Sequence, residues 1–393
     1  MSKMESAPLS LICEVNPRFS KEQRPVPDAK VTFVPMAAVD ETLGEITTPQ
    51  VRRYSEVSKG FTAFREADVL FAKITPCMEN GKAAIARNLR NGMGFGSTEF
   101  HVLRAGPTVL PEWIYFYIRQ PDFRRRAKAS FRGAAGQQRV PVDFLESEGI
   151  PLAPISEQRR IVDILCRANG IVQLQRQATD RAREIIPALF LEMFGDPTSN
   201  PKSWPLVEIG DLCKVDTGAT PNRRNPDYYV GSIHWIKTKE ILGGQISVAE
   251  ETISERAIQD TNCKVFPINT VLVAMYGQGL TRGRVGVLGI PAATNQACAA
   301  ILPSEKVITE YLFECLKIQY STLRALARGG NQPNLNLSMI KRFPIPIPPV
   351  SRQRVFAKLQ GDTNEIADQK TACAFRSKQL FQSLLNRAFS GAL

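Results

Sequence analysis

The order of apolar and polar positions predicts two mixed regions, each followed by a long helix. In residues 8–150, short runs rich in β-branched and aromatic residues are bounded by Pro, Gly or Asn, which is typical of strands. The runs lie at 9–15, 31–34, 67–74 and 97–103, and a helix with an aromatic face is predicted at 112–126. This mixture predicts an α+β domain with a curled, mainly antiparallel sheet.

Residues 203–350 repeat this order. Strand-like runs at 233–236, 270–276 and 296–301 precede a predicted helix at 310–327. The junction after each region repeats as well, since Pro151, Pro154, Ser156, Gln158 and Arg159 recur 195 residues later as Pro346, Pro349, Ser351, Gln353 and Arg354. One half of the chain is therefore a diverged copy of the other, and we expect a pseudo-twofold internal repeat.

The two junctions lead into predicted helices at 156–194 and 351–391, each about 60 Å long at ~1.5 Å per residue. Ser156 is the predicted N-cap of the first, Pro187 should bend or interrupt it, and Gly195 should end it. In heptads, both helices carry an apolar seam, which predicts an antiparallel coiled coil that separates the two regions. The seam consists of Ile161, Ile164, Ile171, Ile185, Leu189, Leu359, Ile366, Leu380 and Leu384.

These patterns predict four domains: 1–152, 153–197, 198–347 and 348–393. The first and third are the two similar regions, and the second and fourth are the long helices. The polar outer faces of the helices favour a spacer. The alternative, in which the helices fold onto the two regions as part of their cores, stays open.

Composition narrows the class of protein. With 43% apolar and 22% charged residues, the 393-residue chain is typical of soluble globular proteins, and no apolar run approaches the ~20 residues of a membrane span. The first residues lack the apolar core of a signal peptide, so we expect a cytoplasmic protein. Eight cysteines without a CxxC pair, beside two histidines, argue against a zinc site.

The formal net charge is +12 and the isoelectric point is about 9.4. The excess of Lys and Arg is spread along the chain, which fits contact with a long polyanion. Catalytic motifs are weak. Residues 225–228 approach the Asn-Pro-Pro-Tyr motif of amino-methyltransferases, but Asp227 replaces the second Pro and a turn is favoured. Residues 92–96 are Gly-rich, but a strand follows where a cofactor loop requires a helix, so a turn is favoured there too.

Loops rich in Arg, Lys, Asn, Gln and Thr are the candidates for DNA reading. Arg pairs bidentately with guanine and Asn or Gln with adenine, while further cations supply affinity for phosphates. For each loop a solvated turn is the alternative, and Thr98, Asn295 and Gln296 are equally explained as groups that hydrogen-bond their own sheet. In the first region the candidates are Lys73, Thr75, Asn80, Lys82, Ser97, Thr98, Arg132, Gln137, Gln138 and Arg139. In the second they are Thr220, Arg223, Arg224, Lys237, Lys239, Tyr276, Gln278, Arg282, Arg284, Asn295, Gln296, Arg328, Asn331 and Gln332.

Two similar regions, each followed by a Pro-rich turn and a Ser-x-Gln-Arg helix start, resemble the specificity subunit of type I restriction–modification systems. The runs at 96–102 and 294–298 are similar to strand entries in the target-recognition domains of that family. The resemblance implies a non-catalytic subunit that binds a bipartite, asymmetric site in double-stranded DNA. It also implies a helical spacer and docked DNA-methyltransferase subunits, two of them, with restriction or translocase subunits in many complexes.

The resemblance assigns no cofactor and no metal to this chain, because S-adenosylmethionine belongs to the partner subunits. One departure is Arg352, which stands where the first junction has Glu157, so the two helix starts differ in charge and partners need not dock equally on both. Two other classes of function remain open. One is a fused methyltransferase or nuclease with its own catalytic site, and the other is a scaffold that binds protein.

Overall fold

The computed structural model of the chain describes residues 4–134, 136–277, 279–327 and 334–393. The chain divides into two compact units: unit 1 is Met1–Gln177 with Thr371–Leu393, and unit 2 is Ala178–Lys370. Each unit contains an α+β head and a part of both long helices, with head 1 ending at residue 154 and head 2 covering 195–349. Within the described part of the chain, no helix is long and apolar enough to cross a membrane.

Unit 1 contains two four-stranded sheets, ordered β6-β3-β10-β7 and β2-β11-β8-β9, and the strand pairs β1-β12 and β4-β5. Neighbouring strands are antiparallel except β3 and β10. The strands are β1 (Glu5–Pro8), β2 (Cys13–Val15), β3 (Lys30–Val34), β4 (Val39–Asp40), β5 (Glu45–Ile46), β6 (Gln50–Arg53), β7 (Thr62–Arg65), β8 (Val69–Ala72), β9 (Ala83–Ile85), β10 (Met93–Gly96), β11 (Phe100–Ala105) and β12 (Gly149–Leu152). The helices are α1 (Leu9–Ile12), α2 (Tyr54–Val57), α3 (Pro111–Ile118), α4 (Pro121–Ala129), α5 (Val142–Ser147) and α6 (Ile155–Phe194), and α6 continues into unit 2.

Unit 2 repeats this plan with sheets ordered β14-β22-β19-β20-β16 and β17-β15-β21-β18, and the pair β13-β23. The parallel neighbours are β15 with β21 and β16 with β20. The strands are β13 (Leu206–Glu208), β14 (Val215–Thr217), β15 (Ile233–Ile236), β16 (Gln245–Ile246), β17 (Glu251–Ile253), β18 (Val265–Phe266), β19 (Val271–Ala274), β20 (Val285–Leu288), β21 (Ala292–Thr294), β22 (Cys298–Ile301) and β23 (Pro344–Pro346). The helices are α7 (Ile209–Leu212), α8 (Glu255–Asp260), α9 (Thr309–Ile318), α10 (Tyr320–Ala325), α11 (Leu337–Lys341) and α12 (Val350–Ser390).

Equivalent hydrogen bonds confirm the internal repeat. In unit 1, Trp113 Nε1 donates to the carbonyl of Pro151 at 2.9 Å, and in unit 2 the Tyr311 hydroxyl donates to that of Pro346 at 2.6 Å. Tyr311 follows Trp113 by 198 residues and Pro346 follows Pro151 by 195. The mixed α+β fold with two similar heads is therefore as the sequence predicted.

In each unit the two long helices run antiparallel to each other. In unit 1, Arg160 near the start of α6 donates to the carbonyl of Leu393, just beyond the end of α12, at 2.9 Å. In unit 2, Phe194 at the end of α6 lies 5.6 Å from Phe356 near the start of α12, between ring centroids. The antiparallel pairing is confirmed.

The helix ends also belong to the cores of the heads, so the alternative that the sequence left open holds for those segments. In unit 1, Trp113 of head 1 packs against Phe389 of α12 and shares a core with Leu165 of α6. In unit 2, Tyr311 stacks on Phe190 of α6, and Phe356 of α12 lies in the same core. The ends of both long helices are therefore part of the hydrophobic cores of the heads.

The predicted seam is wrong at the second apolar position of most heptads. Ile161 is buried, Leu189 and Leu384 pack against the cores and Ile164 is half-buried, but the other five side chains are between 39% and 61% exposed: Ile171, Ile185, Leu359, Ile366 and Leu380. The prediction placed the second seam residue three positions after the first, whereas the structure places it four positions after. The buried set therefore includes Leu165, Thr179, Gln360, Phe381 and Ala388. The apolar pattern predicted the wrong buried face because Thr179 and Gln360 are polar but buried, whereas the five Ile and Leu residues named above are exposed.

Local signals at the helix ends were partly wrong. The long helices begin at Ile155 and Val350, so Ser156 lies in the first turn of α6 instead of capping it. Helix α6 continues through Pro187, but it ends as predicted at Gly195, whose φ is +80°. The helix predicted at 112–126 is two helices, because Pro121 begins a new one.

The Gly-rich run at 92–96 was predicted as a turn, but Met93–Gly96 is strand β10 in the middle of a sheet. A Cβ on Gly94 would lie 2.1 Å from the ring of Phe64. Glycine is therefore required here by close packing against an aromatic side chain.

Candidate nucleic-acid interface

Three polar loops of head 1 meet at one surface. The Lys73 amide donates to the carbonyl of Glu99 at 2.9 Å, and the Val140 amide donates to the carbonyl of Lys73 at 2.9 Å. The Thr75 amide donates to the carbonyl of Gln138 at 3.0 Å. The loops at 73–82 and 97–99 and the described residues 132–134 and 136–140 thus form one continuous patch, here called loop surface 1. The sequence analysis identified each of these loops, but it could not predict that they lie side by side.

Carboxylates hold two of the arginines on loop surface 1. Arg139 forms a bidentate pair with Glu99, with both nitrogen–oxygen distances at 2.9 Å, and Arg132 contacts Asp143 at 2.7 Å. The hydrogen bonds from Arg139 hold the pKa of Glu99 below its ordinary value. The guanidinium groups are therefore oriented before any ligand arrives, which lowers the entropy cost of binding.

The other candidates of head 1 differ in access. Thr98, Asn80 and Gln137 are exposed, whereas Lys73 and Gln138 are half-buried. Three side chains are occupied within the head: Thr75 donates to Glu79 at 2.5 Å, Lys82 donates to the carbonyl of Met36 at 3.3 Å, and Ser97 accepts from the Glu99 amide at 3.2 Å.

Head 2 builds the equivalent surface, loop surface 2. The Met275 amide donates to the carbonyl of Ala297 at 2.8 Å, and the Leu335 amide donates to that of Met275 at 3.0 Å. These bonds match those around Lys73. Tyr276 is exposed, Arg282 and Arg284 are half-buried, and Gln278, Arg328, Asn331 and Gln332 lie outside the described residues.

A charged network extends loop surface 2. The Thr220 hydroxyl donates to Gln296 Oε1 at 2.5 Å, which links the two loops. Glu251 contacts Arg223 at 2.6 Å and Lys237 at 2.5 Å. These contacts, that of Arg223 first, hold the pKa of Glu251 below its ordinary value.

The network continues to Glu250, which contacts Lys239 at 2.5 Å. The Arg223 guanidinium also lies over the rings of Tyr229 and Trp235, at 4.3 and 5.0 Å from their centroids. Arg224 beside it is exposed. Head 2 therefore presents several cations whose positions are fixed by neighbouring acids and rings.

Asn295 has a structural role, which is one of the two explanations that its sequence position allowed. Its Oδ1 accepts from the Ala297 amide at 3.2 Å and from Cys298 Sγ at 3.3 Å. The Oδ1 atom of the side chain therefore stabilises the turn before β22.

Supporting residues on the short helices were missed by the sequence analysis as parts of the site. In head 2, the Tyr320 hydroxyl donates to the carbonyl of Leu280 at 2.7 Å, and Arg324 Nη1 donates to that of Arg282 at 3.3 Å. In head 1, Arg124 donates to the carbonyl of Glu79 at 3.1 Å, and Lys128 contacts the Glu79 carboxylate at 2.5 Å. In head 1 the usable signal was the basic helix α4 directly after the aromatic helix α3.

The catalytic candidates form turns and strands. Residues Pro226–Tyr229 form a 3-10 helix, and Asn225 Oδ1 accepts from the Asp227 amide at 3.2 Å, as expected of a turn. His101 is buried and its Nε2 lies 2.9 Å from the carbonyl of Val140; burial lowers the pKa of this imidazole. Among the residues that the structure describes, no group of three or more His, Cys, Asp or Glu could hold a metal ion.

A family model described as "Type I restriction modification DNA specificity domain" matches residues 1–180 and 201–368. The chain belongs to this family. Two curated relatives from Escherichia coli, the type I restriction enzyme EcoAI and EcoEI specificity subunits, are 35% and 37% identical over 155 and 172 residues. These segments cover 39% and 43% of this chain, and the chain spans about a quarter of the length of each relative, 26% and 28%.

Longer matches exist at lower identity. The HindI specificity subunit from Haemophilus influenzae is 26% identical over 373 residues, with 75% of this chain and 80% of the relative covered. A chain from a solved type I restriction–modification system has a TM-score of 0.64 at 20% identity, covering 100% of this chain and 98% of that one. The S subunit of a type I restriction–modification system from M. genitalium has a TM-score of 0.58 at 14% identity, covering 98% of this chain and 96% of that one. Both structures support the fold of the specificity family.

Proposed function

We propose that this chain is the DNA sequence-specificity subunit of a type I restriction–modification complex, in which each head reads one half of a bipartite, asymmetric double-stranded site. The observation that carries this proposal is that the same backbone geometry assembles polar loops into one surface twice, in loop surfaces 1 and 2. The side chains on the two surfaces differ. Because base recognition depends on side chains, the two half-sites should differ in sequence.

The electrostatics of the loop surfaces support a DNA ligand. The cations lie beside carboxylates, so they are ordered, yet many remain partly exposed, as Arg132 at loop surface 1 and Lys239 at loop surface 2 are. A phosphate or a guanine edge can share or replace such a carboxylate as the acceptor. The net charge of +12 adds long-range attraction for a polyanion.

We propose further that DNA-methyltransferase subunits dock on the long helices, two per chain, and that these subunits bind S-adenosylmethionine and carry the catalytic groups. A restriction or translocase subunit is a further partner of the same complex. The support lies in the exposed apolar side chains of α6 and α12, such as Ile171 and Leu380 in unit 1 and Ile185 and Ile366 in unit 2. Apolar side chains clustered on exposed helices are typical of protein interfaces.

The test combines this chain with a methyltransferase subunit and maps the methylated sites in DNA. We expect methylation of a split sequence by the complex and none by the chain alone, with labelled S-adenosylmethionine binding only to the partner. Methylation by the purified chain alone would refute the assignment.

A matched pair of variants locates the reading surface in head 2. Arg224→Ala removes an exposed cation from loop surface 2, whereas Lys306→Ala removes one beyond the opposite end of β22. If Arg224 contacts phosphate, the slope of log affinity against log salt should fall by about one for Arg224→Ala, measured by fluorescence anisotropy of the complex on DNA. Lys306→Ala should leave the slope unchanged, and equal effects of the two variants would argue against loop surface 2 as the interface.

A further inference from the structure

The internal repeat allows the contact between head and long helices to be compared position by position in the two units. Tyr115, Phe116 and Arg119 follow the start of α3, and their equivalents 198 residues later are Phe313, Glu314 and Lys317 at α9. On the long helices, Gln173 of α6 corresponds to Asp368 of α12, 195 residues later. Each set lies within its own unit.

In unit 1 the chain supplies its own hydrogen-bond donors at this contact. Arg119 donates to the carbonyls of Thr42 at 3.2 Å and Leu43 at 3.5 Å, and Gln173 Nε2 donates to that of Leu43 at 3.0 Å. A second guanidinium, that of Arg87, pairs with Glu112. The other acid at this contact, Glu45, accepts from Gln173 Nε2 at 3.3 Å. Both acids thus have donors, and the carbonyls of the turn between β4 and β5 are satisfied.

In unit 2 two of these donors, the side chains of Gln173 and Arg87, have no equivalent, and two acids are added. Glu314 stands where unit 1 has Phe116, and Asp368 where it has Gln173. Gly289 takes the place of Arg87. Strand β9 pairs with β8 in the same register in which β20 pairs with β19, and the equivalent residues are 202 positions apart. Lys317, the equivalent of Arg119, turns to Glu314 and contacts its carboxylate at 3.3 Å.

A cavity of about 530 Å³ lies at this place in unit 2. Its wall includes Glu314 and Gln360, which are only 1% and 6% exposed, and the Oε1 atoms of both have no hydrogen-bond partner. Buried acceptors without a donor destabilise a fold, because the hydrogen bonds that they made to water in the unfolded chain are not replaced. Three acids line the cavity against two bases: Glu310, Glu314 and Asp368 against Arg183 and Lys317. The site therefore has one more acid than base and two acceptors without donors.

We propose that this cavity binds an organic cation carrying a guanidinium or primary ammonium group, which donates hydrogen bonds to Glu314 Oε1 and Gln360 Oε1. The other half of the molecule indicates the ligand chemistry, because unit 1 places the guanidinium groups of Arg87 and Arg119 at the equivalent contact. Both groups supply N–H donors and a positive charge, which would satisfy the two acceptors without donors and balance the extra acid of the cavity in unit 2. The proposal requires no DNA and does not depend on the proposed function.

Protons compete with this ligand. Burial raises the pKa of Glu314, so the carboxylate holds a proton more readily than an exposed glutamate does. The charged groups around it are Lys317 and Glu310 from α9, Arg183 from α6 and Asp368 from α12. Because the cation binds the ionised carboxylate, its affinity should fall as the pH is lowered through the pKa of Glu314, and binding should release protons.

The test is isothermal titration calorimetry of the full chain with agmatine and putrescine as probes. Tetramethylammonium is the control ligand, since it has the charge but no N–H donor. We expect saturable binding of at least one probe, no binding of tetramethylammonium, and proton release seen as a dependence on the ionisation enthalpy of the buffer. Absence of saturable binding by both probes, or equal binding of tetramethylammonium, would overturn the proposal.

Variants assign the binding to the cavity. Glu314→Gln keeps the size of the side chain and removes its charge, so affinity should fall at least about tenfold, since a hydrogen bond to a charged group is stronger than one to a neutral group. Asp368→Asn, at the exposed part of the wall, should weaken binding less and guards against a folding defect in the first variant. Glu305→Gln removes an exposed acid outside the cavity and should bind normally. Unchanged affinity in Glu314→Gln would overturn the assignment.

A second arm identifies the source of the cation. The affinity of a methyltransferase subunit for the chain is measured with and without saturating agmatine. Competition means that a Lys or Arg side chain of the partner occupies the cavity, whereas independent binding means that a free polyamine-like molecule does. Both results support a cation site and separate its two sources.

Discussion

At the scale of single residues, two buried glutamines explain why the junction sequence is repeated. Gln158 accepts from the Leu110 amide at 3.0 Å and donates to the carbonyls of Thr108 and Ala153 at 2.9 and 2.8 Å. Gln353 accepts from the Ile308 amide at 2.9 Å and donates to the carbonyl of Pro348 at 2.7 Å. Each glutamine thus connects the start of a long helix to the loop that precedes α3 in head 1 or α9 in head 2.

We predict that Gln158→Ala loosens this connection in unit 1. The substitution leaves a buried amide and two carbonyls without partners, which should cost roughly 1–3 kcal/mol of local stability. Hydrogen exchange measured by NMR or mass spectrometry should show faster exchange at Leu110, while amides in unit 2 keep their protection. Gln177→Ala, at an exposed position of the same helix, is the control and should change stability by less than about 0.5 kcal/mol. Equal protection of Leu110 in both variants would contradict this role.

At the scale of elements, the sequence predicted the long helices and the core strands of each head, but not their contacts or many of the short elements. The run at 9–15 was predicted as a strand, whereas Leu9–Ile12 is helix α1 and only Cys13–Val15 is strand β2. The repeat, the antiparallel helix pair and the strand order follow from local patterns that occur twice in the sequence. The seam between the long helices could not be predicted in this way, because in α12 the polar Gln360 is buried, whereas Ile366 and Leu380 are exposed. An apolar residue on a helix has two reasons to be there, an internal contact or a partner, and periodicity alone does not separate them.

The same limit applies to the loop surfaces. The residue types of the loops indicated their chemistry, but the bonds that join Lys73 to Glu99 and Val140 connect segments far apart in the chain. Such pairings depend on sheet register, which a single sequence leaves open. The exchange of Phe116 for Glu314 was visible in the sequence, yet only the cavity around Glu314 gives it meaning.

The outward apolar side chains of α12 should matter for partner binding and not for folding. We predict that Ile366→Lys leaves the stability of the isolated chain within about 0.5 kcal/mol, since the side chain is 53% exposed. Its affinity for a methyltransferase subunit should fall at least about tenfold, because the complex would bury an unpaired charge. Surface plasmon resonance measures the affinity, and Ile366→Leu is the matched control that should bind normally. Normal binding by Ile366→Lys would exclude this part of α12 from the interface.

At the scale of the whole molecule, two similar heads share two continuous helices. Helix α6 has residues in both units, and so does α12, so neither helix can change length without affecting both units. The heads repeat their hydrogen-bonded backbone but not their exposed side chains. If each head reads one half-site, the helices are the elements that set how many base pairs separate the halves.

We predict that removal of seven residues from the middle of α6 and seven from the middle of α12 changes the separation of the half-sites but not their sequences. Seven residues are required because the buried positions recur at that period, so a four-residue deletion would turn apolar side chains out of the seam. Both helices must be shortened, since they run antiparallel and a single deletion would leave their lengths unequal. The deletion shortens the pair by about 10 Å, which corresponds to roughly three base pairs of DNA. Methylation mapping with the complex should show a shorter spacer for the deletion and a longer one for the matching seven-residue insertion, and an unchanged spacer in both would show that the helices do not measure this distance.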